Sequence, residues 1–313
     1  MSQTTPRMDN LFGGKSEGGF LGLPHTPIGE TLDADIVLLG APAATPYQSV
    51  GAYCAEAPQA IRGALGWPGI LGHYDFDLPG TILPDNKKAV DWGDLPFKTD
   101  DFGYNRATIT ESVEKILAAG AVPIVLGGDD SIPTPVLQAY QHYGPINILQ
   151  IDAHIDWRDD VDGERWGLSS TMRRASEMGW VNQIIQVGAR GLGSARPNDY
   201  QDAVAWGVTF FPMRQIQSVG IDAVVQTIPT DKPLFITLDV DALDPSIMPA
   251  VIGPAPGGFS YWDILFLLEQ AASRTKIAGF DIVELMPSAD VGGRGALLAA
   301  RIVATMLGLI GRQ

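Results

Sequence analysis

The hydrophobic positions of this chain fall into short, uninterrupted runs separated by amphipathic stretches. Seven runs of mainly Ile, Val and Leu predict β-strands: Ile36–Gly40, Val122–Leu126, Ile146–Ile151, Ile184–Val187, Val208–Phe211, Leu234–Leu238 and Ile277–Val283. Polar residues do not alternate with the apolar ones, which is typical of strands that are covered on both faces. The pattern therefore predicts a parallel sheet buried between other layers.

Four of the intervening stretches have helical periodicity. The predicted helices are Thr108–Ala119, Asp222–Ile228, Tyr261–Ser273 and Ala296–Leu309. Gly120 is expected to end the first of them, because glycine adopts the left-handed conformation of a helix C-terminus. Ser260 is expected to cap the third at its N-terminus. Strands and helices that alternate in this way indicate an α/β fold with helices covering the sheet.

The domain organisation is predicted to be simple. Residues 1–30 are expected to form an irregular, glycine-containing arm, and residues 31–313 a single domain without a change in composition. The one cysteine, Cys54, cannot form an intramolecular disulfide and favours a reducing, cytoplasmic location. Met1–Gly19 has no apolar segment, so no secretory signal is expected.

The charge and hydropathy of the chain exclude some partners. A formal net charge of −15 predicts no binding to nucleic acid or to an anionic membrane. It suits a cationic ligand, although a solvated acidic surface explains most of it equally well. The apolar run Ala296–Gly311 contains Arg301 and is predicted to be a buried helix rather than a membrane span.

Three polar clusters follow three of the predicted strands directly. They are Gly127-Gly128-Asp129-Asp130-Ser131, Asp152-Ala153-His154-Ile155-Asp156 and Asp239-Val240-Asp241. Ligands of an open parallel sheet bind beyond the carboxyl ends of its strands. The sequence therefore predicts that the three clusters meet in one crevice.

The spacing within these clusters points to metal binding. In extended backbone Asp152, His154 and Asp156 share one face, as do Asp239 and Asp241. So many carboxylates would repel one another or stay protonated, and divalent cations remove that cost. Oxygen-rich ligation with one imidazole favours Mn²⁺-like ions. Each cluster alone has an ordinary alternative, a capped strand end or a turn.

Longer motifs in the chain resemble the ureohydrolase (arginase/agmatinase) family, in its agmatinase-like branch. The matching stretches are Gly40-Ala41-Pro42, Ala60-Ile61-Arg62, Asp152–Asp156, Asp239–Pro245, Pro254–Gly258 and Gly279–Glu284. The resemblance implies a three-layer α/β/α sandwich on a mostly parallel sheet of about eight strands. By analogy alone it also implies a trimer or hexamer.

The resemblance further implies two divalent metal ions, usually Mn²⁺ and in some relatives Ni²⁺. By position in the motifs, Asp152 and Asp239 would bridge the ions, Asp130 and Asp156 would complete one shell, and His154 and Asp241 the other. Glu284 falls where the family has the glutamate that recognises a guanidinium group.

These residue types suit the hydrolysis of a guanidino or related amidino compound. A guanidinium group is a poor electrophile, so the reaction needs a strong nucleophile and a hold on the cation. Two metal ions would lower the pKa of a water between them towards neutrality. Glu284 would accept hydrogen bonds from the guanidinium nitrogens, and Asp156 would pass a proton to the leaving amine. The products would be urea and an amine.

Two positions depart from the family pattern. Asp130 stands where the family has a histidine ligand; we expect it to bind metal, and the alternative is that it turns away. As an added negative charge it should make the nucleophilic water less acidic and favour a harder metal. Leu168 stands where agmatinase-like relatives carry a histidine. The substrate is therefore expected to be neither arginine nor agmatine.

The residues around this second departure allow several interpretations. Trp157 and Trp166 could wall an apolar pocket or pack in the core. Arg158 is expected to form an exposed charge network with Asp159 and Asp160.

Two other functions stay open from the sequence. One is a catalytically impaired subunit that partners an active paralogue in a hetero-oligomer, which the two departures favour and the retained ligand positions oppose. The other is a deacetylase of related fold, which is less favoured because such enzymes use a paired-histidine motif that this sequence does not contain.

Overall fold

A parallel sheet forms the centre of the protein, which is described here by a computed structural model covering residues 18–28 and 32–313. Its strands are β1 (Ile36–Ala41), β2 (Ala89–Asp94), β3 (Val122–Gly127), β4 (Ile146–Ile151), β5 (Val181–Val187), β6 (Thr209–Phe211), β7 (Leu234–Asp239) and β8 (Ile277–Val283). They are ordered β2-β1-β3-β8-β7-β4-β5-β6, and every strand pairing is parallel.

Helices cover both faces of this sheet. They are α1 (Ala57–Ala64), α2 (Phe102–Ala118), α3 (Pro133–Gln138), α4 (Thr171–Ser176), α5 (Pro197–Trp206), α6 (Met213–Val219), α7 (Ile221–Thr227), α8 (Tyr261–Arg274) and α9 (Arg294–Gly311). The apolar side chains form two core clusters, one under α1 and α6–α9 and the other under α2–α5. Neighbouring strand residues such as Leu38 and Leu39 belong to different clusters, because successive side chains point to opposite faces. The predicted three-layer α/β/α sandwich of eight strands is confirmed.

All seven predicted strands are present, with ends that differ by up to three residues. The sequence interpretation missed β2, which has the composition Ala-Val-Asp-Trp-Gly-Asp and lies at the sheet edge. Its buried Asp91 interrupts the apolar pattern and binds the side chain of Arg62 at 2.7 Å. β2 therefore lacks the continuous apolar run from which the other strands were predicted, because it contains a buried aspartate that is neutralised by an ion pair.

The four predicted helices are also present. Helix α2 begins at Phe102, six residues earlier than predicted, because the Asp101 side chain accepts a hydrogen bond from Tyr104 N and caps it. Ser260 caps α8 as predicted, in a reciprocal pair with Asp263. Five short helices, α1 and α3–α6, were not predicted, since few turns give little periodicity to read.

Residues 18–28 and the C-terminal helix α9 both pack against the rest of the protein. Of the predicted arm, residues 18–28 pack on the protein, with Phe20 fully buried; residues 1–17 and 29–30 lie outside the described part. Helix α9 is 18 residues long with a mean hydropathy of 1.5, which meets the length and composition of a membrane span. Its residues are 78% buried inside the protein, so it serves as a core helix, in agreement with the sequence prediction.

Candidate metal centre

Four adjacent strands at the middle of the sheet, β3, β8, β7 and β4, deliver the polar residues predicted from the sequence. Each strand ends at the same edge, and the side chains that follow them line one cavity of about 220 Å³. The predicted residues at its wall are Asp130, His154, Asp156, Asp239, Asp241 and Glu284. Asp152 lies just behind them and is 2% exposed. The structure therefore brings together all seven predicted site residues.

The donor atoms form two groups with metal-binding geometry. In one, single atoms of Asp130, Asp152 and Asp239 all lie within 4.8 Å of one another. In the other, the same holds for Asp152, His154 and Asp241. Because Asp152 belongs to both, the two groups are adjacent and share a carboxylate. Four acidic side chains with one imidazole fit a pair of hard or borderline divalent ions.

The position of Asp130 depends on the glycine two residues before it. A Cβ on Gly128 would lie 2.1 Å from the carbonyl oxygen of Pro42, so only glycine lets β3 end this close to the chain after β1. The Gly128 carbonyl then accepts a hydrogen bond from Glu284 N at 2.8 Å. Asp130 Oδ2 is buried and has no hydrogen-bond partner among the described residues, and a cation would satisfy this oxygen by coordination. The residue that replaces the family histidine thus fits the role of a ligand.

Backbone amides hold the other carboxylates in place. Asp152 accepts a hydrogen bond from His154 N at 2.5 Å, and Asp239 accepts one from Asp241 N at 2.7 Å. Asp241 accepts one from Ala153 N at 3.1 Å and lies 2.9 Å from His154 Nδ1. These local contacts fix the carboxylates before any ion binds, which lowers the ordering cost of the site.

Asp156 and Glu284, the predicted catalytic residues, have strained backbones. Their φ angles are +44° and +69°, in the left-handed region that residues other than glycine rarely adopt. Such strain persists only where surrounding contacts enforce it, and it is frequent at functional sites. Asp156 belongs to neither donor group; its Oδ2 accepts a hydrogen bond from Gln150 at 2.6 Å.

Burial and mutual repulsion shift the pKa values of the clustered side chains. Desolvation by burial, followed by repulsion from neighbouring carboxylates, raises the pKa of Asp130, Asp156 and Asp239. Desolvation opposes charge on His154, but hydrogen bonds to Asp152 and Asp241 outweigh it and raise its pKa to about 12. The same contacts with His154 lower the pKa of Asp152 despite its burial. A divalent cation entering here would displace protons.

Three supporting residues escaped the sequence analysis. Gln150 donates to both Asp152 and Asp156, and Gln186 on the neighbouring strand donates to the Gln150 side chain. Tyr53 donates to Glu284 at 2.7 Å. The two glutamines interrupt otherwise apolar runs in paired register positions, a signal that could have been used. Tyr53 lies in a loop region and carries no such signal.

The structure shows which residues near Leu168 line the cavity. Leu168 lines the cavity and makes part of its wall apolar where the family's histidine is expected. Trp157 both packs in the core and contributes to the cavity wall, whereas Trp166 does not line it. The predicted network of Arg158 was wrong: Asp159 pairs with Arg165 and Arg174 instead.

The comparison with known proteins decides the family. A model of the arginase family matches residues 34–308. The chain belongs to the arginase family. It is 32% identical to the mitochondrial agmatinase of Gallus gallus over 71% of this chain and 67% of that protein. It is also 32% identical to the mitochondrial guanidino acid hydrolase of Homo sapiens, over 80% and 71% of the two chains.

A solved structure agrees with this family assignment. The proclavaminate amidinohydrolase of Streptomyces clavuligerus superposes with a TM-score of 0.83 at 28% identity, covering 95% of this chain and 98% of that one. The chain is therefore a hydrolase of the ureohydrolase type, in a family that acts on guanidino compounds with a binuclear divalent metal centre. The donor groups described above are able to hold such a centre.

Proposed function

We propose that this protein hydrolyses a C–N bond of a guanidino, or closely related amidino, compound to release urea and an amine. The observation that carries the proposal is the pair of donor groups sharing Asp152, with Glu284 in the same cavity. Asp130, Asp152, His154, Asp156, Asp239 and Asp241 would hold two divalent ions. Mn²⁺ is the ion that this oxygen-rich set favours, and Ni²⁺ is the alternative.

A bound metal pair supplies the Lewis acidity that makes water nucleophilic at neutral pH. The protein's own residues then have three tasks. Glu284 accepts hydrogen bonds from the guanidinium nitrogens and so places the central carbon over the donor groups. Asp156, next to Asp152 but outside both donor groups, takes a proton from the attacking water and delivers it to the leaving nitrogen. Leu168 and Trp157 exclude bulk water from this part of the cavity.

The substrate is proposed to be neither arginine nor agmatine. The apolar Leu168 in the cavity wall replaces the histidine expected in agmatinase-like relatives, so one polar contact to the substrate or its leaving group is lost. The guanidino acid hydrolase and the proclavaminate amidinohydrolase among the relatives are named for other compounds of this class. These similarities support a guanidino compound with a different tail.

A catalytically impaired subunit that partners an active paralogue is the second candidate. The two departures, Asp130 and Leu168, favour it. The buried, unpartnered oxygen of Asp130 weighs against it, because that atom is placed as a ligand would be. A trimer or hexamer and a cytoplasmic location stay predictions.

A single purified preparation tests both candidates. The chain is expressed alone, reconstituted with Mn²⁺ or Ni²⁺, and assayed for bound metal and for urea release from a panel of guanidino compounds. The proposal expects two ions per subunit and urea from at least one compound. Two ions without any urea would favour the impaired subunit, and fewer than two ions would contradict the ligand assignment.

A further inference from the structure

The arginine that the sequence analysis placed on the surface lies in the wall of the active-site cavity. Arg158 lines this cavity together with Asp156 and Glu284 and is half-buried. Its backbone is held in place, since Arg158 N donates to Ser169 O at 3.0 Å. A cation therefore belongs to the wall of the cavity that is proposed to take a cationic substrate.

The guanidinium of Arg158 has no charged partner in the part of the chain that the structure describes. Throughout residues 18–28 and 32–313, its guanidinium makes no ion pair or hydrogen bond with another side chain. Asp159, its neighbour in sequence, is taken by Arg165 and Arg174. Asp199, which also lines the cavity, forms an ion pair with Arg196 at 2.8 Å.

The segment at Ser169 forms the neighbouring part of the cavity wall. Ser169 also lines the cavity, and its hydroxyl is hydrogen-bonded to Tyr47. Ser169 N donates to Tyr47 Oη at 3.2 Å, which ties this wall segment to a second loop. An arginine in a cavity wall is suited to binding a carboxylate, because the guanidinium offers two parallel donors.

We infer that Arg158 binds a carboxylate, or an equivalent anionic group, at the far end of the substrate. The inference rests on the proposed function and narrows its substrate class to guanidino acids. One end of such a molecule is cationic and would lie at Glu284, and the other is anionic and would lie at Arg158. Agmatine carries an ammonium group at its far end, and Arg158 would repel it.

A homologous series of ligands tests this inference. Metal-reconstituted protein is titrated by calorimetry with guanidinoacetate, 3-guanidinopropionate, 4-guanidinobutyrate and 5-guanidinopentanoate, and with butylguanidine and agmatine as neutral-tail and cationic-tail probes. Urea release is measured for the same compounds. We expect the best acid to bind at least about tenfold more tightly than butylguanidine, and agmatine to bind most weakly of all.

Two substitutions of Arg158 distinguish a role in binding the carboxylate from a general loss of folding. Arg158→Gln should remove the preference for the acid over butylguanidine while leaving butylguanidine binding unchanged. Arg158→Glu should reverse the order and favour agmatine, a gain that misfolding cannot produce. Arg214, an exposed arginine outside the cavity wall, provides the charge-matched controls Arg214→Gln and Arg214→Glu.

The possible failures are distinguishable. If wild type releases urea from the acid and from butylguanidine with equal kcat/KM, and Arg158→Gln changes neither, the carboxylate site is excluded and the hydrolase proposal stands. If no compound releases urea but Arg158→Gln still abolishes selective binding of the acid, the carboxylate site stands and the hydrolase proposal fails. Equal binding of acid and butylguanidine by wild type overturns the inference in either case.

Discussion

The hydroxyl of Tyr53 lies 2.7 Å from both carboxylate oxygens of Glu284, although 231 residues separate the two in sequence. Glu284 also accepts a hydrogen bond from Asp130 N at 2.9 Å. The carboxylate that is proposed to bind the guanidinium group is therefore tied to the loop carrying Asp130. Burial and, to a smaller extent, the charge of Asp129 raise the pKa of Glu284, and the hydrogen bond from Tyr53 lowers it, so that the pKa is raised to about 8.

Tyr53→Phe should impair the reaction without affecting metal binding. A hydrogen bond to a charged group contributes about 1.5–3 kcal/mol, so kcat/KM is expected to fall about 10- to 100-fold. Loss of the donor also raises the pKa of Glu284, and because only the ionised form binds guanidinium, the acid limb of the pH–rate profile should move to higher pH. Steady-state kinetics between pH 6 and 10, a range chosen to span the pKa of about 8, measures both effects.

The matched control for this change is Tyr74→Phe, since Tyr74 is 61% exposed and lies outside the cavity wall. It should leave the rate, the pH profile and the metal content as they are in wild type. A Tyr53→Phe protein with an unshifted acid limb would show that Tyr53 does not act through Glu284.

Asp130 should behave as a metal ligand. Asp130→Ala is expected to lower the affinity for one of the two ions by at least about tenfold. Even substitutions of residues that only support the ligands lower metal affinity about 10- to 100-fold. Asp130→His should keep both ions and move the pH optimum down, because the site loses one negative charge and its water becomes more acidic. Metal content after dialysis and the pH optimum are the measurements.

Asp199→Asn supplies the control for Asp130, because Asp199 lines the same cavity but pairs with Arg196. It should retain both ions. Full metal retention in Asp130→Ala would show that the side chain lies outside the metal shell.

The sequence predicted the parts of this site that are encoded locally. Asp152, His154 and Asp156 follow their strand directly, and their common face results from backbone alternation alone. Arg158 and Tyr53 could not be placed in this way. Whether Arg158 faces solvent or the cavity depends on the segment at Ser169, and the partner of Tyr53 depends on how distant loops meet above the sheet. Such contacts are consequences of topology, which a local pattern does not contain.

Removal of the metal should destabilise the protein and should become easier at low pH. The raised pKa values of Asp130, Asp156, Asp239 and His154 mean that the empty cluster binds protons more readily than separate side chains would. An ion must displace them, so affinity falls as pH falls, and each tenfold loss of affinity lowers the stabilisation by about 1.4 kcal/mol per site.

Calorimetry in two buffers of different protonation enthalpy measures the protons released when Mn²⁺ binds. Thermal unfolding with and without chelator, at pH 6 and pH 8, measures the stabilisation on either side of neutrality. No proton release, or a melting temperature that does not respond to chelator, would contradict the assignment of these groups as ligands.

Asp281 offers a last test, in the metal-free protein. It lies on β8 beside Thr237 of β7, and both its carboxylate oxygens are buried. Burial raises its pKa and a hydrogen bond with Thr237 lowers it, so that the pKa is raised to about 8. The folded protein therefore keeps a proton that the unfolded chain has lost, and stability falls as pH rises from about 4, the unfolded value, towards 8.

Asp281→Asn is neutral at every pH and should remove this part of the pH dependence. Between pH 5 and pH 8, the unfolding free energy of the variant is expected to rise by about 1–3 kcal/mol relative to that of wild type. This range is smaller than the full pKa shift of Asp281 would give. Urea denaturation of chelator-treated protein at both pH values gives the difference. The contributions of the other buried carboxylates largely cancel because both proteins contain them, apart from Asp130, whose pKa is raised in part by the charge of Asp281. Asp100→Asn, at an exposed position, should show no such gain. Equal pH slopes for wild type and Asp281→Asn would show that Asp281 is ionised in the folded protein.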